Sequence, residues 1–546
     1  MKSILDITNY SLSYRTRGGL IPVLRKVNLK VKRGETVGLV GESGSGKSSL
    51  AWAIMRSLPA NAVEHSGKIL LSGDDLITKS PIDMQYIRGK KLAIVLQDPS
   101  TSLTPTLTLG KQISEVLVAH LGYSPAEAWS KSEALLGQVG IANPAAIMRR
   151  MPHETSGGEK QRALIAAAFA VQPDCILFDE PTSALDAVSA RKVLEILNQL
   201  QAETEVGALY ISHDLSLVSQ TADQVIVLAG GEIVEEGAAG EIFHQPRSEL
   251  TRELALAVPQ LGCRLVEGTQ NTNVAPLLRI EDVTVEHQRA SALKRLLGGK
   301  SDRVYGNFGI SLSVQPGEIL GIVGESGSGK STLTKALFGI NAFSGSLYFE
   351  GKRIAGRSDM DRDYRREVQM IFQHPDSSLN PRQRVAQILS RPLKLYESKE
   401  GRETYKAKIE ELLQQVRLPV AYSARYSHQL SGGEKQRIAI ARAFASRPKL
   451  VVCDEITSAL DVRVQAHIVE LLIEMRRRYN TAYLFISHDL RLVSQIAHRI
   501  AVMHRGELVE LDHSEVVISS PCHPYTRALL EGLSGPRFNR GPPEGS

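Results

Sequence analysis

The same glycine-rich octapeptide occurs twice in the chain, and this repetition constrains the fold more than any other feature. The copies, Gly-Glu-Ser-Gly-Ser-Gly-Lys-Ser, span residues 41–48 and 324–331. An isolated match to Gly-x-x-x-x-Gly-Lys-Ser/Thr can arise by chance, because glycine-rich turns are common in loops. Around the first copy, however, the apolar run Thr36–Val40 predicts a strand, and residues Lys47 to Leu58 predict a helix. A strand, loop and helix in this order form the context in which the motif binds phosphate.

Four further motifs follow each octapeptide in the same order. They are Gln97 and Gln373, Ser156–Gly158 and Ser431–Gly433, Asp179–Glu180 and Asp454–Glu455, and His213 and His488. The offset along the chain is identical for the last three pairs, and that of the glutamines differs from it by a single position. Solenoid repeats are only about 20 to 50 residues long. The period here is a whole domain long, which indicates a duplicated domain.

The length of the chain also indicates two domains. A single hydrophobic core stops growing at about 250 to 300 residues, and this chain has 546. We expect a first domain at 1–257, a linker at 258–276, a second domain at 277–533 and a disordered tail at 534–546. The linker is rich in Gly, Asn and Thr, and the tail is rich in Gly and Pro.

The positions of the motifs predict an α/β fold for each domain. In the first domain, three polar motif residues lie at the ends of short apolar runs, and open α/β sheets bind ligands at the carboxyl ends of their strands. A helical pattern separates the first of these residues from the Ser-Gly-Gly motif. The predicted strands are Leu92–Leu96, Cys175–Phe178 and Leu209–Ser212, which lead to Gln97, Asp179 and His213, and the predicted helices of the insertion are Leu109–Leu121 and Ala126–Val139.

Composition argues against several classes of protein. A bilayer span needs about 18 or more apolar residues, and no apolar run approaches this length. The N-terminus has no cleavable hydrophobic signal, so we expect a cytoplasmic protein that spans no membrane. The net charge is +6, and the basic residues of the chain are scattered, which argues against a nucleic-acid-binding surface. The four cysteines form no metal-binding pattern, and Cys175 and Cys453 are predicted to be buried core residues.

The full set of motifs resembles that of ATP-binding cassette (ABC) ATPases over nearly the whole chain. The most specific segments are Thr155–Arg162 and Leu430–Arg437, which contain the Ser-Gly-Gly signature. The resemblance implies tandem P-loop domains, each with a RecA-like sheet core, an antiparallel β subdomain and a helical insertion. Two residues depart from the family pattern: Thr155 replaces the usual Leu, and Ile456 replaces the proline found at position 181.

ATP and Mg²⁺ are the cofactors expected for both domains. Triphosphate is a dense anion, and the backbone N–H groups of a glycine loop at a helix N-terminus bind it at low cost. Lys47 and Lys330 should reach the outer phosphates, and the hydroxyls of Ser48 and Ser331 should ligate Mg²⁺. The residues expected to bind ATP are Tyr14, Gly41, Ser43, Gly44, Gly46, Lys47, Ser48, Ser49, Gln97, Ser156, Gly157 and Gly158 in the first domain, and Gly324, Ser326, Gly327, Gly329, Lys330, Ser331, Thr332, Gln373, Ser431, Gly432 and Gly433 in the second.

The acidic pairs are the candidate catalytic groups. A carboxylate that ends an apolar strand is costly to bury unless it is paired, which favours Asp179 and Asp454 as Mg²⁺ ligands. The resemblance adds Gln97 and Gln373 to the metal sites. It also identifies the catalytic residues as Glu180 and Glu455, which polarise the attacking water, with His213 and His488, which contact the γ-phosphate. The alternative is that the acids merely cap strands and the histidines are structural.

Each site is expected to be completed by the other domain. The signature turns lack a basic residue at their glycines and begin helices, so their N–H groups offer a second anion site. In ABC ATPases this half-site faces the phosphate loop of the partner domain. The resemblance therefore pairs Ser431 and Gly433 with the first site, and Ser156 and Gly158 with the second. Tyr14 is expected to stack on adenine, with a core tyrosine as the alternative, and His287 stands at the matching position of the second domain.

A C-terminal segment narrows the resemblance to one branch of importers. Ser520–Leu530 resembles the extension found in oligopeptide, dipeptide, nickel and opine importers, and Gln245–Leu254 is a weaker echo of it. Fused cassettes resemble those of peptide and microcin-type importers. This branch implies two transmembrane permeases as partners, a solute-binding protein indirectly, and a peripheral position on the cytoplasmic face of the inner membrane. The transported solute, including the choice between peptides and opine-like compounds, is left open.

Two other classes of tandem cassette are alternatives. Ribosome-associated cassettes join their halves by a long, charged helical linker, whereas residues 258–276 are short and nearly uncharged. DNA-repair cassettes are expected to carry zinc-type cysteine pairs, which this sequence lacks. The basic run at 288–300 could contact a membrane partner, but a solvated loop is the simpler interpretation.

Overall fold

The computed structural model describes residues 3–182, 185, 187–213, 215–266, 274–288, 303–396, 402–458 and 460–533. Contacts divide the chain into two compact units. One consists mainly of residues up to Val258, and the other mainly of Pro259–Leu460 and the chain from Val464 onward. Part of the expected linker, the basic run from 289 and the expected disordered tail lie outside the described residues.

The first unit combines two sheets with surrounding helices. Its elements are β1 (Ser3–Thr16), β2 (Gly19–Lys32), β3 (Thr36–Val40), α1 (Lys47–Ile54), β4 (Ala62–Leu71), β5 (Asp74–Asp75), α2 (Pro81–Ile87), β6 (Leu92–Val95), α3 (Pro99–Ser102), α4 (Leu109–Leu121), α5 (Pro125–Gln138), α6 (Pro144–Met148), α7 (Gly157–Phe169), β7 (Cys175–Asp179), α8 (Ala187–Thr204), β8 (Gly207–Ile211), α9 (Leu215–Thr221), β9 (Gln224–Ala229), β10 (Glu232–Ala238), α10 (Ala239–His244) and α11 (Glu249–Ala257).

The second unit repeats this order, except that a 3-10 helix at Val420–Ala424 stands where the first unit has α6. Its elements are β11 (Leu278–Gln288), β12 (Arg303–Val314), β13 (Ile319–Val323), α12 (Lys330–Leu337), β14 (Ser344–Phe349), β15 (Lys352–Ile354), α13 (Arg362–Glu367), β16 (Val368–Ile371), α14 (Pro375–Ser378), α15 (Val385–Tyr396), α16 (Arg402–Gln415), α17 (Gly432–Phe444), β17 (Leu450–Asp454), α18 (Val462–Tyr479), β18 (Ala482–Ile486), α19 (Leu490–Ile496), β19 (Arg499–His504), β20 (Glu507–His513), α20 (Ser514–Ser519) and α21 (Pro524–Leu533).

The two units share one sheet topology. Among the described residues, the larger sheet of the first unit has the order β6-β7-β8-β3-β9-β10, and that of the second has β16-β17-β18-β13-β19-β20. All neighbours in these sheets pair in parallel except the last strand of each. A smaller antiparallel sheet lies in each unit, with the orders β2-β1-β4-β5 and β12-β11-β14-β15. The predicted α/β class, with a parallel core and an antiparallel β subdomain, is confirmed.

Buried strands place the motif residues along one edge of each larger sheet. Every residue of β3 and of β13 is buried, as expected for a central strand covered on both faces. Both predicted buried cysteines, Cys175 and Cys453, lie in such strands. Because the parallel strands run in the same direction, the residues that follow their carboxyl ends gather at a single edge.

Sequence patterns located most of these elements, with one clear error in length. The prediction for α4 is confirmed at both ends, and α5 and β6–β8 differ from their predictions by one or two residues. Helix α1, however, ends at Ile54 rather than at Leu58. Arg56 has a φ of 52°, in the left-handed region, so the chain leaves the helix before Pro59 requires it to. Within the described residues, no helix is both long and apolar enough to cross a bilayer.

Candidate functional site

The lysine of the first glycine loop is buried and hydrogen-bonds to the backbone of that loop. Lys47 is 7% exposed, and its Nζ donates to the carbonyl oxygens of Gly41 and Glu42, both at 2.8 Å. Burial lowers the pKa of Lys47, although the nearby carboxylate of Glu180 acts in the opposite direction. The ammonium group thus lies inside the loop, at the N-terminus of α1, where a bound anion would be favoured by both charge and helix dipole.

The second loop has the same arrangement. Lys330 is 4% exposed, and its Nζ donates to the carbonyl oxygens of Gly324 (2.7 Å) and Glu325 (2.8 Å). A third, longer contact at 3.4 Å reaches the hydroxyl of Ser328. The two loops of identical sequence therefore adopt the same local structure in both units.

The last glycine of each loop is required by its backbone and by its surroundings. Gly46 has a φ of 108°, and a Cβ there would lie 2.7 Å from Leu24 Cδ2 and 2.9 Å from the Val23 carbonyl oxygen. Gly329 has a φ of 102°, and its Cβ would lie 2.5 Å from the Gly306 carbonyl oxygen. Only glycine adopts this backbone in so little space.

In the first unit, three predicted residues form one hydrogen-bonded cluster. The amide nitrogen of Gln97 donates to Glu180 Oε2 at 2.9 Å, and Nδ1 of His213 lies 2.7 Å from Glu180 Oε1. Glu180 has a φ of 50°, an uncommon value for a residue with a side chain. Its backbone N–H donates to the carbonyl oxygen of Ile211 at the end of β8. The strained turn after β7 thus directs the carboxylate toward residues that follow two other strands.

The second unit brings together the corresponding three residues. Gln373 donates to Glu455 Oε2 at 3.0 Å, and His488 Nδ1 lies 3.7 Å from the same oxygen. Gln373 also reaches the hydroxyl of Ser458 at 3.5 Å. The imidazole of His488 holds the pKa of Glu455 below its ordinary value. Burial favours a neutral imidazole, but the neighbouring Glu455 carboxylate outweighs it and raises the pKa of His488.

The aspartates of the acidic pairs are suited to a cation. Burial raises the pKa of Asp179 to about 6, and the adjacent Glu180 adds to this shift, while Lys47 opposes it. Burial and Glu455 likewise raise the pKa of Asp454. The surroundings of a half-buried carboxylate beside a second carboxylate contain too little positive charge to balance both groups. Carboxylate and hydroxyl oxygens are the ligands that Mg²⁺ prefers. The residues present therefore fit a magnesium ion.

The other predicted metal ligands are the loop serines and the two glutamines. Ser48 and Ser331 occupy the first turns of α1 and α12, directly after the loop lysines, and both are exposed. Gln97 and Gln373 use their amide nitrogens to bind the glutamates. Metal ligation would use the amide oxygens instead, so these hydrogen bonds are compatible with that role.

The two signature motifs begin helices with the same cap. The hydroxyl of Ser156 accepts the N–H of Glu159, whose carboxylate in turn accepts the Ser156 N–H, and Ser431 with Glu434 forms the same capping box. The serines and the glycines after them, Gly157 and Gly432, are exposed. The N-termini of α7 and α17 are thus fixed in position and accessible to a ligand.

The residue predicted to contact adenine in the first unit, Tyr14, lies close to the glycine loop. The hydroxyl of Tyr14, on β1, donates to Ser49 Oγ at 3.2 Å, which places this half-buried side chain beside the first turn of α1. His287, its counterpart by position, lies on β11 and pairs with Val304. Sequence analysis noted the segment Ser520–Leu530 but gave its Tyr525 no role; in the structure, Tyr525 of α21 contacts the second loop at Glu325. The two residues are far apart along the chain, so only the fold reveals this contact.

Comparison with known families agrees with this geometry. The profile of the ABC transporter family matches residues 24–183 and 308–458, which include both glycine loops, both signature motifs and both acidic pairs. The chain belongs to the ABC transporter ATP-binding family. It is an ABC-type ATPase with two cassettes, and a second profile, the C-terminal region of oligopeptide/dipeptide transporters, matches residues 509–543.

Relatives of this ABC ATPase share nearly its full length. The chain is 38% identical to the glutathione import ATP-binding protein GsiA of Salmonella paratyphi A over 566 residues, which cover 97% of this chain and 90% of that protein. It is 37% identical to GsiA of Escherichia coli O157:H7, with 97% and 89% covered. Among solved structures, it is similar to a dimeric ATP-binding cassette in a post-hydrolysis state with ADP and Pi, at 26% identity and a TM-score of 0.39 over 43% of this chain and 98% of that one.

Proposed function

We propose that this ABC ATPase energises the import of peptide-like solutes, with small peptides such as glutathione as the first candidates and opine-like compounds as the second. The observation that carries this proposal is the match of residues 509–543 to the C-terminal region of oligopeptide/dipeptide transporters. The name of the relatives, glutathione import ATP-binding protein, supports the same direction of transport.

In each site, hydrolysis depends on one glutamate. Glu180 accepts the proton of the attacking water, and the Gln97 amide and His213 imidazole hold its two carboxylate oxygens in one orientation. Lys47 leaves its two carbonyl acceptors for the outer phosphates when a triphosphate enters the loop. Glu455, Gln373, His488 and Lys330 have the same roles in the second site.

The histidines act as cations in this scheme. An ionised Glu180 only accepts hydrogen bonds, so the contact at 2.7 Å requires a proton on Nδ1 of His213. A neutral ring would then present a lone pair at Nε2, whereas a protonated ring presents a second N–H to the γ-phosphate. In the second site, the Glu455 carboxylate raises the pKa of His488 despite its burial, which shifts the ring toward its protonated form.

The aspartates, serines and glutamines complete the sites. Asp179 with Ser48 and Gln97, and Asp454 with Ser331 and Gln373, would hold one Mg²⁺ in each site, which supplies positive charge to the phosphate oxygens. Tyr14 contacts adenine in the first site. Each nucleotide is enclosed when the signature helix of the other cassette, capped by Ser431 or Ser156, adds its N-terminal N–H groups. ATP then joins the cassettes, and hydrolysis removes the link.

The partners follow from this function. Two permease subunits transmit cassette closure to the solute, and a solute-binding protein supplies it, while no nucleic acid takes part. The ATPase is peripheral, on the cytoplasmic face of the inner membrane, and is held there by the permeases. The ribosome-associated alternative is not favoured, because the importer-type C-terminal region has no place in it.

Uptake measurements test the proposal. Cells that lack this chain should lose most uptake of labelled glutathione or of labelled di- and oligopeptides. The native chain and a Gly240→Ala control should restore uptake, since a Cβ at position 240 meets nothing within 4 Å. A chain with both Glu180→Gln and Glu455→Gln should not restore it. Normal uptake of all these solutes in the deleted cells would contradict the assignment of peptides as the solute. Copurification of ribosomal proteins in place of permeases would contradict the import function itself.

A further inference from the structure

A tyrosine from the C-terminal region contacts the second glycine loop. The hydroxyl of Tyr525 accepts the backbone N–H of Glu325 at 2.9 Å. The carbonyl oxygen of the same Glu325 accepts Nζ of Lys330 at 2.8 Å. One loop residue is therefore held on one side by the phosphate-binding lysine and on the other by α21.

The tyrosine is itself held in place from two sides. Its ring stacks on His504 at the end of β19, with the ring centroids 4.0 Å apart and an angle of 29° between the planes. The carboxylate of Glu510 fixes the start of α21, because it accepts the N–H groups of Cys522 and His523 and the hydroxyl of Thr526. The hydroxyl of Tyr525 thus reaches the loop from a braced position.

The first cassette has the same support but a different residue at the contact position. Glu235 accepts the N–H groups of Arg247 and Ser248 before α11, as Glu510 does before α21. When Glu235 is aligned with Glu510, Leu250 of the first cassette corresponds to Tyr525 of the second. Leu250 packs against the apolar core of the first unit, and its aliphatic side chain has no atom that could accept a hydrogen bond from a loop N–H.

We propose that Tyr525 is a positioning residue for the second nucleotide site, through which the C-terminal region holds that phosphate loop in its binding conformation. Phosphate binding requires several backbone N–H groups to converge on one point, and a loop fixed beforehand loses less entropy when the anion binds. Leu250 cannot give the first loop this support. The C-terminal region therefore supports the phosphate loop of the second site, and the corresponding helix does not support that of the first. The inference rests on the proposed role of the Lys330 loop in binding phosphate.

Binding of MgATP to single-site variants tests this inference. Lys47→Ala should disable MgATP binding at the first site, so that the measured Kd is that of the second site. Lys330→Ala should disable the second site, so that the measured Kd is that of the first. In the full chain with Lys47→Ala, Tyr525→Phe should raise the Kd for MgATP about two- to tenfold, the range for one hydrogen bond. The phenyl ring keeps the stack on His504, so the substitution removes the hydroxyl that reaches Glu325 and leaves the ring in place. With Lys330→Ala, the same substitution should leave the Kd unchanged.

Tyr479→Phe is the matched control. Tyr479 is also half-buried in the second unit, and its hydroxyl donates to Gln415 at 3.1 Å, away from the loop. It should not change the Kd in either background. An unchanged Kd with Tyr525→Phe in the Lys47→Ala chain, or an equal increase with Tyr479→Phe, would overturn the inference while the proposed function stands. If the Lys47→Ala chain bound no MgATP at all, the assignment of the second phosphate site itself would fail.

Discussion

Nδ1 of His213 lies 2.7 Å from Oε1 of Glu180, and this contact fixes the carboxylate at the end of β7. The other carboxylate oxygen accepts the amide of Gln97 at 2.9 Å. With both oxygens held, the carboxylate of Glu180 has one orientation. The corresponding histidine of the second cassette is farther from its glutamate, at 3.7 Å, so the second carboxylate is held less tightly.

Replacement of either proposed catalytic glutamate should stop hydrolysis at its own site only. Gln is nearly isosteric with Glu but cannot take a proton from water, so Glu180→Gln or Glu455→Gln should lower hydrolysis at that site about 10²- to 10⁴-fold. Each single variant should lose part of the steady-state phosphate release, and the double variant nearly all of it. Glu195→Gln, on the exposed Arg191–Glu195 pair of α8, is the control. A single substitution that leaves the rate untouched would show that its site does not turn over.

A methyl group at the end of the first loop should abolish nucleotide binding there. Gly46→Ala would require a φ near 108° and place Cβ 2.7 Å from Leu24 Cδ2, so the loop must shift. A strained backbone position costs about 1–3 kcal/mol. We expect the MgATP stoichiometry, measured by calorimetry, to fall from two to one per chain. Gly240→Ala should keep two, and two nucleotides bound to Gly46→Ala would argue against the assigned loop.

A charge at one signature motif should act on the opposite site. Gly432→Asp places a carboxylate where a Cβ meets nothing within 4 Å, and an acidic residue in the first turn favours the helix, so folding is preserved. In a Glu455→Gln chain, only the first site hydrolyses ATP. Gly432→Asp should then lower phosphate release more than tenfold by repulsion of the γ-phosphate, and Gly157→Asp should not. The reverse result would exclude the proposed pairing of sites.

Acid should weaken the first cassette through Glu64. Burial alone would raise the pKa of Glu64, but Arg56, bound at 2.6 and 2.8 Å, and the Tyr10 hydroxyl at 2.6 Å hold it below its ordinary value. A lowered pKa in the folded state stabilises the fold above the pKa of the unfolded chain, and this stabilisation is lost as the pH falls through the folded value. Glu64→Gln should therefore cost about 1–2 kcal/mol at pH 7, and less toward pH 3.

Tryptophan fluorescence during urea unfolding measures this effect. The only tryptophans, Trp52 and Trp129, both lie in the first cassette, so the signal reports that unit. Glu232→Gln, which removes one partner of the exposed 3.6 Å pair with Arg25, should change stability by less than about 0.5 kcal/mol. A loss in Glu64→Gln that stays constant between pH 7 and pH 3 would contradict the charge-based explanation.

Local pattern predicted much of the fold. The strand into the first loop, the helices of the first insertion and the helices that follow the signature motifs are encoded by periodicity and capping residues within a few positions of each other. The predicted length of α1 was wrong. The left-handed backbone at Arg56 ends the helix early, and no residue pattern at Arg56 indicates this, whereas Pro59 is a recognisable helix terminator.

The sequence by itself determined that two complete sets of ATPase motifs exist and which residues belong to each, because the chemistry of phosphate binding depends on short, contiguous motifs. The tertiary structure decided how those residues meet. Gln97, Glu180 and His213 follow three different strands, and only parallel pairing of β6, β7 and β8 brings their side chains within hydrogen-bond distance. The contact of Tyr525 with Glu325 has no local signal either, because the packing of α21 against a loop from a distant part of the chain creates it.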